Sequence, residues 1–184
     1  MKAFTPVCTT EIIGFAKANT YFKKLNTELI GLSIDSNASH LAWLNDIFEK
    51  TGTYVPFPII ADRNGEIARK YGMISNDVSK TETVRNVFII DDKGIIRLIL
   101  VYPMQIGRSI SEILRVLEAL QIADSCKVAT PLNWYPGNPA IQYSPTTFDG
   151  LQKRQQEILE DRNGMSWYLS FKDVSTCEKK SETE

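Results

Sequence analysis

The sequence predicts an α/β protein in which helices cover both faces of a sheet. Three observations carry that expectation. Apolar residues recur at helical spacing from Thr9 to about Leu25, and a stretch rich in Leu and Ile, Glu28–Asp35, follows as a buried strand. Two further apolar runs, Val84–Asp91 and Ile95–Tyr102, flank Asp91-Asp92-Lys93-Gly94, a turn sequence that predicts a hairpin. Beyond the hairpin, Ser109-Ile-Ser-Glu112 has the form of a capping box that opens another helix.

The elements follow in order. Thr5 is a suitable N-cap, because its hydroxyl can accept a bond from an unpaired backbone N–H, and Pro6 suits the first helical position. Cys8 then falls in the first turn, where the positive end of the helix dipole favours a thiolate over a thiol. Asn37 or Ser36 caps a second helix with Leu41, Leu44 and Phe48 on one face. Pro56-Phe57-Pro58 breaks the chain ahead of a short strand, Ile59–Ala61, and the Asp62–Gly65 turn leads into a short helix that stops at Gly72. The helix after Ser109 carries Ile110, Ile113, Leu114, Leu117 and Leu120 on one side and ends near Gln121. Pro131, Pro136, Pro139 and Pro145 then mark an extended, irregular arm with little core of its own. It holds a polar helix over Phe148–Glu160 and an aromatic strand over Trp167–Phe171. The charged stretch Lys172–Glu184 is expected to be disordered. The expected organisation is thus a body over residues 1–122, an arm over 123–171 and a tail over 172–184.

Composition narrows the function. The chain of 184 residues is 43% hydrophobic with a net charge of −1, which gives no bulk attraction to nucleic acid or anionic lipid. No apolar run approaches the roughly 18 residues of a membrane span, and the first residues lack the apolar stretch of a signal peptide, so a cytoplasmic location is expected. Three cysteines far apart form no disulfide framework or CxxC pair, and a single histidine, His40, excludes a multi-histidine metal site. No metal or cofactor is expected.

Phe4-Thr-Pro-Val-Cys-Thr-Thr-Glu11 resembles the peroxidatic-cysteine signature of the peroxiredoxins, Pro-x-x-x-Thr-x-x-Cys; Thr5 and Cys8 match, and Met1 stands where the motif has proline. Leu32–Ser36, Ser39–Trp43, Pro56–Asp62, Val84–Asp91, Tyr102–Arg108 and Lys127–Pro131 follow in the order of the one-cysteine, or sixth, subfamily of the alkyl hydroperoxide reductase/thiol-specific antioxidant family. The resemblance covers Phe4 to about Pro145. It implies a thioredoxin-like sandwich with a C-terminal arm, here without the N-terminal hairpin and central strand that family members carry ahead of this point.

The resemblance also implies an activity. A thiol-dependent peroxidase reduces hydrogen peroxide and small organic hydroperoxides through a sulfenic acid on Cys8. Thr5 and Arg85 serve the thiolate and bound peroxide, Arg108 is a second arginine near the site, and Glu11 orients an arginine. Related members resolve the sulfenic acid with a cysteine in the arm. Ser170 occupies that place here, so Cys177 is a candidate resolving thiol and an external thiol reductant is the favoured donor. Homodimers or rings of dimers are expected. Two other readings compete: a truncated, catalytically weak subunit or interaction module, and a thiol hydrolase built on a Cys8–His40 dyad.

Overall fold

The computed structural model describes residues 1–74, 85–175 and 177. It divides into two compact units, Met1–Leu114 and Arg115–Glu184.

The first unit opens with helix α1, Pro6–Lys24. Thr5 has the extended backbone of an N-cap, and the Thr9 N–H donates to the Thr5 carbonyl at 3.0 Å as the first helical bond. The Thr5 hydroxyl does not cap: it donates to the Lys2 carbonyl at 2.8 Å. Strand β1, Gly31–Ser33, pairs in parallel with β2, Ile59–Ala61, with Gly31 opposite Ile59. A parallel pair needs a crossover, which helix α2, Asn37–Thr51, supplies. β1 is shorter than the expected Glu28–Asp35. Its partner offers only three residues, and a tight turn follows in which the Asp35 N–H donates to the Ser33 hydroxyl at 3.0 Å.

The buried face of α2 also differs from the expected one. His40, Trp43 and Ile47 point inward, while Leu41 and Phe48 are exposed. Both triplets have helical spacing. The indole Nε1–H of Trp43 donates to the Thr9 hydroxyl at 3.1 Å, so the larger ring enters the core with its polar atom satisfied. Cys8, Ile12, Trp43 and Ile47 form one buried cluster.

Asp62 organises the turn into helix α3, Glu66–Lys70: its carboxylate accepts from the N–H groups of Ile67 and Ala68 at 3.2 and 2.8 Å. Strands β3, Arg85–Ile90, and β4, Ile96–Tyr102, form the expected antiparallel hairpin, with Arg85 opposite Tyr102. The Asp91 carboxylate accepts from Lys93 and Ile95 N–H, and Gly94 takes a φ of +77°, which a side chain would resist. Val84 lies outside the described residues. Among those described, β1–β2 and β3–β4 are separate two-stranded ladders.

Helix α4 spans Ile110–Cys126, well past the expected end at Gln121, because Ile122 and Cys126 continue its apolar stripe into a core. The Ser109 hydroxyl accepts from the Glu112 N–H at 3.3 Å.

The second unit has more order than an irregular arm. Strands β5 (Val128–Ala129), β6 (Ala140–Gln142), β7 (Gly164–Ser166) and β8 (Leu169–Lys172) form one sheet in the order β5-β6-β8-β7. Its core joins Ala119, Ile122, Cys126, Val128, Trp134, Ala140 and Val174. The expected single strand Trp167–Phe171 is instead the turn and second strand of a hairpin, with Ser166 opposite Leu169. Gly164 lies so close to the facing strand that an added Cβ would sit 2.7 Å from the Leu169 carbonyl oxygen. Helix α5, Phe148–Asp161, is amphipathic but buries no residue fully, and Thr147 caps it by accepting from the Gly150 N–H at 3.1 Å. Order also extends into the expected tail: Lys172 ends β8 and Val174 is buried. Residues 176 and 178–184 lie outside the described residues.

Trp134, 1% exposed, tests this second core, since its indole Nε1–H donates to the Asn138 carbonyl at 2.9 Å from within the apolar cluster. Trp134→Ala is expected to cost about 3–5 kcal/mol in denaturant unfolding. A loss below about 1 kcal/mol would mean that the arm has no core to lose.

Candidate active site

The N-terminal turn of α1 places Cys8 at its third helical position, 3% exposed. The preceding loop is held by the Asp35 carboxylate, which accepts from the Ala3 N–H at 2.8 Å. Phe4 has a φ of +55°, a conformation that costs a non-glycine residue about 1–3 kcal/mol. This reversal accompanies a contact at the sulfur: the Lys2 N–H donates to Cys8 Sγ at 3.4 Å.

Arg85, the first residue of β3, reaches the same sulfur. Its Nη1 donates to Cys8 Sγ at 3.2 Å and to Glu11 Oε2 at 2.8 Å, and its Nε donates to the Met104 carbonyl at 2.8 Å. Glu11, one helical turn beyond Cys8, is 5% exposed and also receives Arg108. The Arg108 backbone N–H and Nε donate to Oε1 at 2.9 and 3.0 Å, Nη2 donates to Oε2 at 2.7 Å, and Nη1 donates to the Asn86 carbonyl at 3.2 Å. The Arg108 guanidinium also lies over the Phe15 ring, 5.7 Å from its centroid.

These contacts fix the charge balance. Two guanidiniums face one carboxylate and one sulfur in a buried setting. Among these four side chains a neutral thiol leaves one cation uncompensated and a thiolate balances it; the Met1 ammonium also lies within electrostatic range, and burial holds its pKa below the ordinary value. Burial alone pushes the Cys8 thiol up. Hydrogen bonds from the Thr5 hydroxyl, the Lys2 N–H and Arg85 outweigh burial, and the net shift is below the ordinary thiol value. The Thr5 hydroxyl has a single proton and two acceptors within reach, the Lys2 carbonyl and Cys8 Sγ. Burial likewise pushes Glu11 up, and Arg108 followed by Arg85 brings it below the usual carboxylate range.

All five residues singled out for peroxide chemistry, Thr5, Cys8, Glu11, Arg85 and Arg108, therefore lie in one cluster. Arg108 touches Glu11 rather than the sulfur, so its influence on Cys8 passes through the carboxylate. Cys177 belongs to the second unit and packs against the cluster that contains Cys126. Ser170 is fully buried, and its hydroxyl accepts from Arg154 Nη1 at 2.8 Å. His40 is buried, and among the described residues neither ring nitrogen has a hydrogen-bond partner, so it makes no dyad with Cys8. Burial holds the His40 pKa below its ordinary value, which favours the neutral ring. Sequence reasoning missed the backbone members of the site, namely the Lys2 N–H and the carbonyls of Met104 and Asn86. Main-chain groups leave no residue-type signal.

A fold of this kind with a charge-balanced cysteine at a helix start defines a class of thiol enzyme, and comparison with known proteins gives the family. Residues 1–99 match the AhpC/TSA family model, and residues 119–157 match the C-terminal domain of 1-Cys peroxiredoxin. Peroxiredoxin 2 of Caldanaerobacter subterraneus subsp. tengcongensis is 53% identical over 171 residues, covering 93% of this chain and 77% of the relative. The peroxiredoxin of Aquifex aeolicus is 49% identical, covering 93% and 80%. Among solved structures, a yeast mitochondrial 1-Cys peroxiredoxin superposes with a TM-score of 0.79 at 40% identity, covering 93% of this chain and 82% of that one. The chain belongs to the AhpC/TSA family of peroxiredoxins, in its 1-Cys branch. It is a thiol-dependent peroxidase, with a peroxide as substrate and a thiol as reductant.

Glu11 supplies a stability test. Its folded-state pKa lies below the unfolded one, so its stabilising contribution is complete above the ordinary carboxylate pKa and is lost as pH falls through the lower folded value. Glu11→Gln leaves two buried guanidiniums with one anion at most and is expected to cost about 3–5 kcal/mol at neutral pH. The variant should also lose part of the acid-dependent fall in stability seen in the parent. Denaturant titrations across the acid range that superimpose for the two proteins would contradict the assignment.

Proposed function

We propose that Cys8 is the peroxidatic residue and that hydrogen peroxide and small organic hydroperoxides are the substrates. The observation that carries this reading is the Arg85 Nη1 shared between Cys8 Sγ at 3.2 Å and Glu11 Oε2 at 2.8 Å. One planar cation touches the nucleophile while a buried carboxylate sets its orientation. The Cys8 thiolate attacks the hydroxyl-bearing oxygen of the hydroperoxide. The S–O bond forms as the O–O bond breaks, Cys8 becomes a sulfenic acid, and the departing alkoxide or hydroxide takes up a proton as alcohol or water. Arg85 stabilises the negative charge as it moves from sulfur to the departing oxygen. The Thr5 hydroxyl, able to turn between the Lys2 carbonyl and the sulfur, is the donor that can follow the reacting atoms. The burial of Cys8 favours compact oxidants.

An external thiol then attacks the sulfenic sulfur and releases water, and a second thiol reduces the mixed disulfide. The yeast relative is resolved through glutathione/thioredoxin systems, and a donor of that chemical class is proposed here. Assembly into homodimers or rings of dimers is part of the same proposal. It is supported by the exposure of Leu41 and Phe48 on α2, side chains that association would cover.

In a peroxide-consumption assay with a thiol donor, Cys8→Ser is expected to fall to the uncatalysed background. Arg85→Ala should lose about a hundredfold or more in rate, while His40→Ala keeps its activity. Full turnover by Cys8→Ser would reject the reading.

A further inference from the structure

Cys126 and Cys177 are used by no step of the peroxide chemistry, yet the second unit brings them together across the 50 residues between them. Cys126 is the last residue of α4 and is 8% exposed, within the cluster of Ala119, Ile122, Val128, Trp134, Ala140 and Val174. Beyond β8, buried Val174 anchors the chain in that cluster, and the Cys177 N–H closes a turn onto the Val174 carbonyl at 3.0 Å. The turn lays half-buried Cys177 against the cluster. Cys177 thus packs against the cluster that holds Cys126, and burial followed by the neighbouring Cys177 thiol raises the Cys126 pKa. The Ser125 hydroxyl donates to Cys126 Sγ at 3.8 Å.

We propose that Cys126 and Cys177 are a second redox centre of this protein, a dithiol that hydroperoxides convert to a disulfide fastening the segment after β8 to the end of α4. The more accessible Cys177 reacts first: its sulfur takes one peroxide oxygen, the O–O bond breaks, and alcohol or water leaves. Cys126 then attacks the sulfenic sulfur of Cys177. The S–S bond forms, and the displaced hydroxyl departs as water with the Cys126 proton. Two thiols and one hydroperoxide give one disulfide, one alcohol (or water) and one water. Oxidation therefore closes a loop that the reduced chain holds only by packing. Cys177 has its partner thiol within its own unit and acts separately from Cys8.

The test uses the full chain carrying Cys8→Ser, so that failure of the peroxidatic assignment does not bear on it. Reduced protein is treated with hydrogen peroxide, alkylated and digested. The expected product is one intrachain peptide pair joining Cys126 to Cys177, lighter by two hydrogens than the reduced peptides and released by dithiothreitol. The oxidised protein should also melt about 5 °C higher. Cys177→Ala, which changes a half-buried position and leaves Cys126 in its core, should abolish both signals. Two thiols that remain fully alkylatable after treatment, or a melting temperature unmoved by oxidation, would overturn the proposal. So would a Cys8–Cys177 link in place of Cys126–Cys177 when the same digest is made of the chain with Cys8 intact.

Discussion

The first unit depends on one carboxylate. Glu11 is buried and accepts hydrogen bonds from two guanidiniums whose residues lie 74 and 97 positions along the chain. A buried ion cluster of this kind does little for stability when compared with packed apolar side chains, because each charge has left water. Its value is positional. Arg85 is tied at three points, to Met104, Glu11 and Cys8, and so presents a fixed cation to the sulfur. Breaking the carboxylate contact would free both arginines from this geometry.

The backbone completes what the ions begin. The Asp35 side chain holds the Ala3 N–H, Phe4 takes a left-handed turn, and the Lys2 N–H meets the sulfur. The Trp43–Thr9 bond fixes the next residue of α1 to α2. The first turn of α1 is thus held from the loop side and from the helix side. A cation, a main-chain N–H and a hydroxyl surround one sulfur atom, and together they offset the burial that would otherwise keep it protonated. This is the arrangement expected of an activated thiol.

The sequence made the side-chain members of the site legible because each has chemistry specific to its type. Cys8 stands at a helix start, Thr5 is three residues ahead of it, and Arg85, Arg108 and Glu11 stand at matching positions of a recognisable family pattern. The main-chain donors and acceptors were not legible, since any residue supplies them. In α2 two triplets with the same spacing competed, and the choice fell to Trp43, whose indole needed a partner that only the folded chain provides. The second unit was underestimated for another reason. Its prolines read as irregular chain, whereas its core is assembled from single residues scattered over α4, the loops and short strands, with no periodic run to announce it. The hairpin Arg85–Tyr102 and the helix at Pro6 were read well because their signals, a turn sequence and a proline at the first helical position, are local.

The most direct measurement of the central claim is the titration of the Cys8 thiolate, followed by its ultraviolet absorbance or alkylation rate in a chain carrying Cys126→Ser and Cys177→Ser. A sulfur balanced against Arg85 and hydrogen-bonded by Lys2 and Thr5 should ionise below the ordinary thiol pKa of about 8.5, and Arg85→Ala should move the midpoint upward. A midpoint at or above the ordinary value, unmoved by loss of Arg85, would contradict the account.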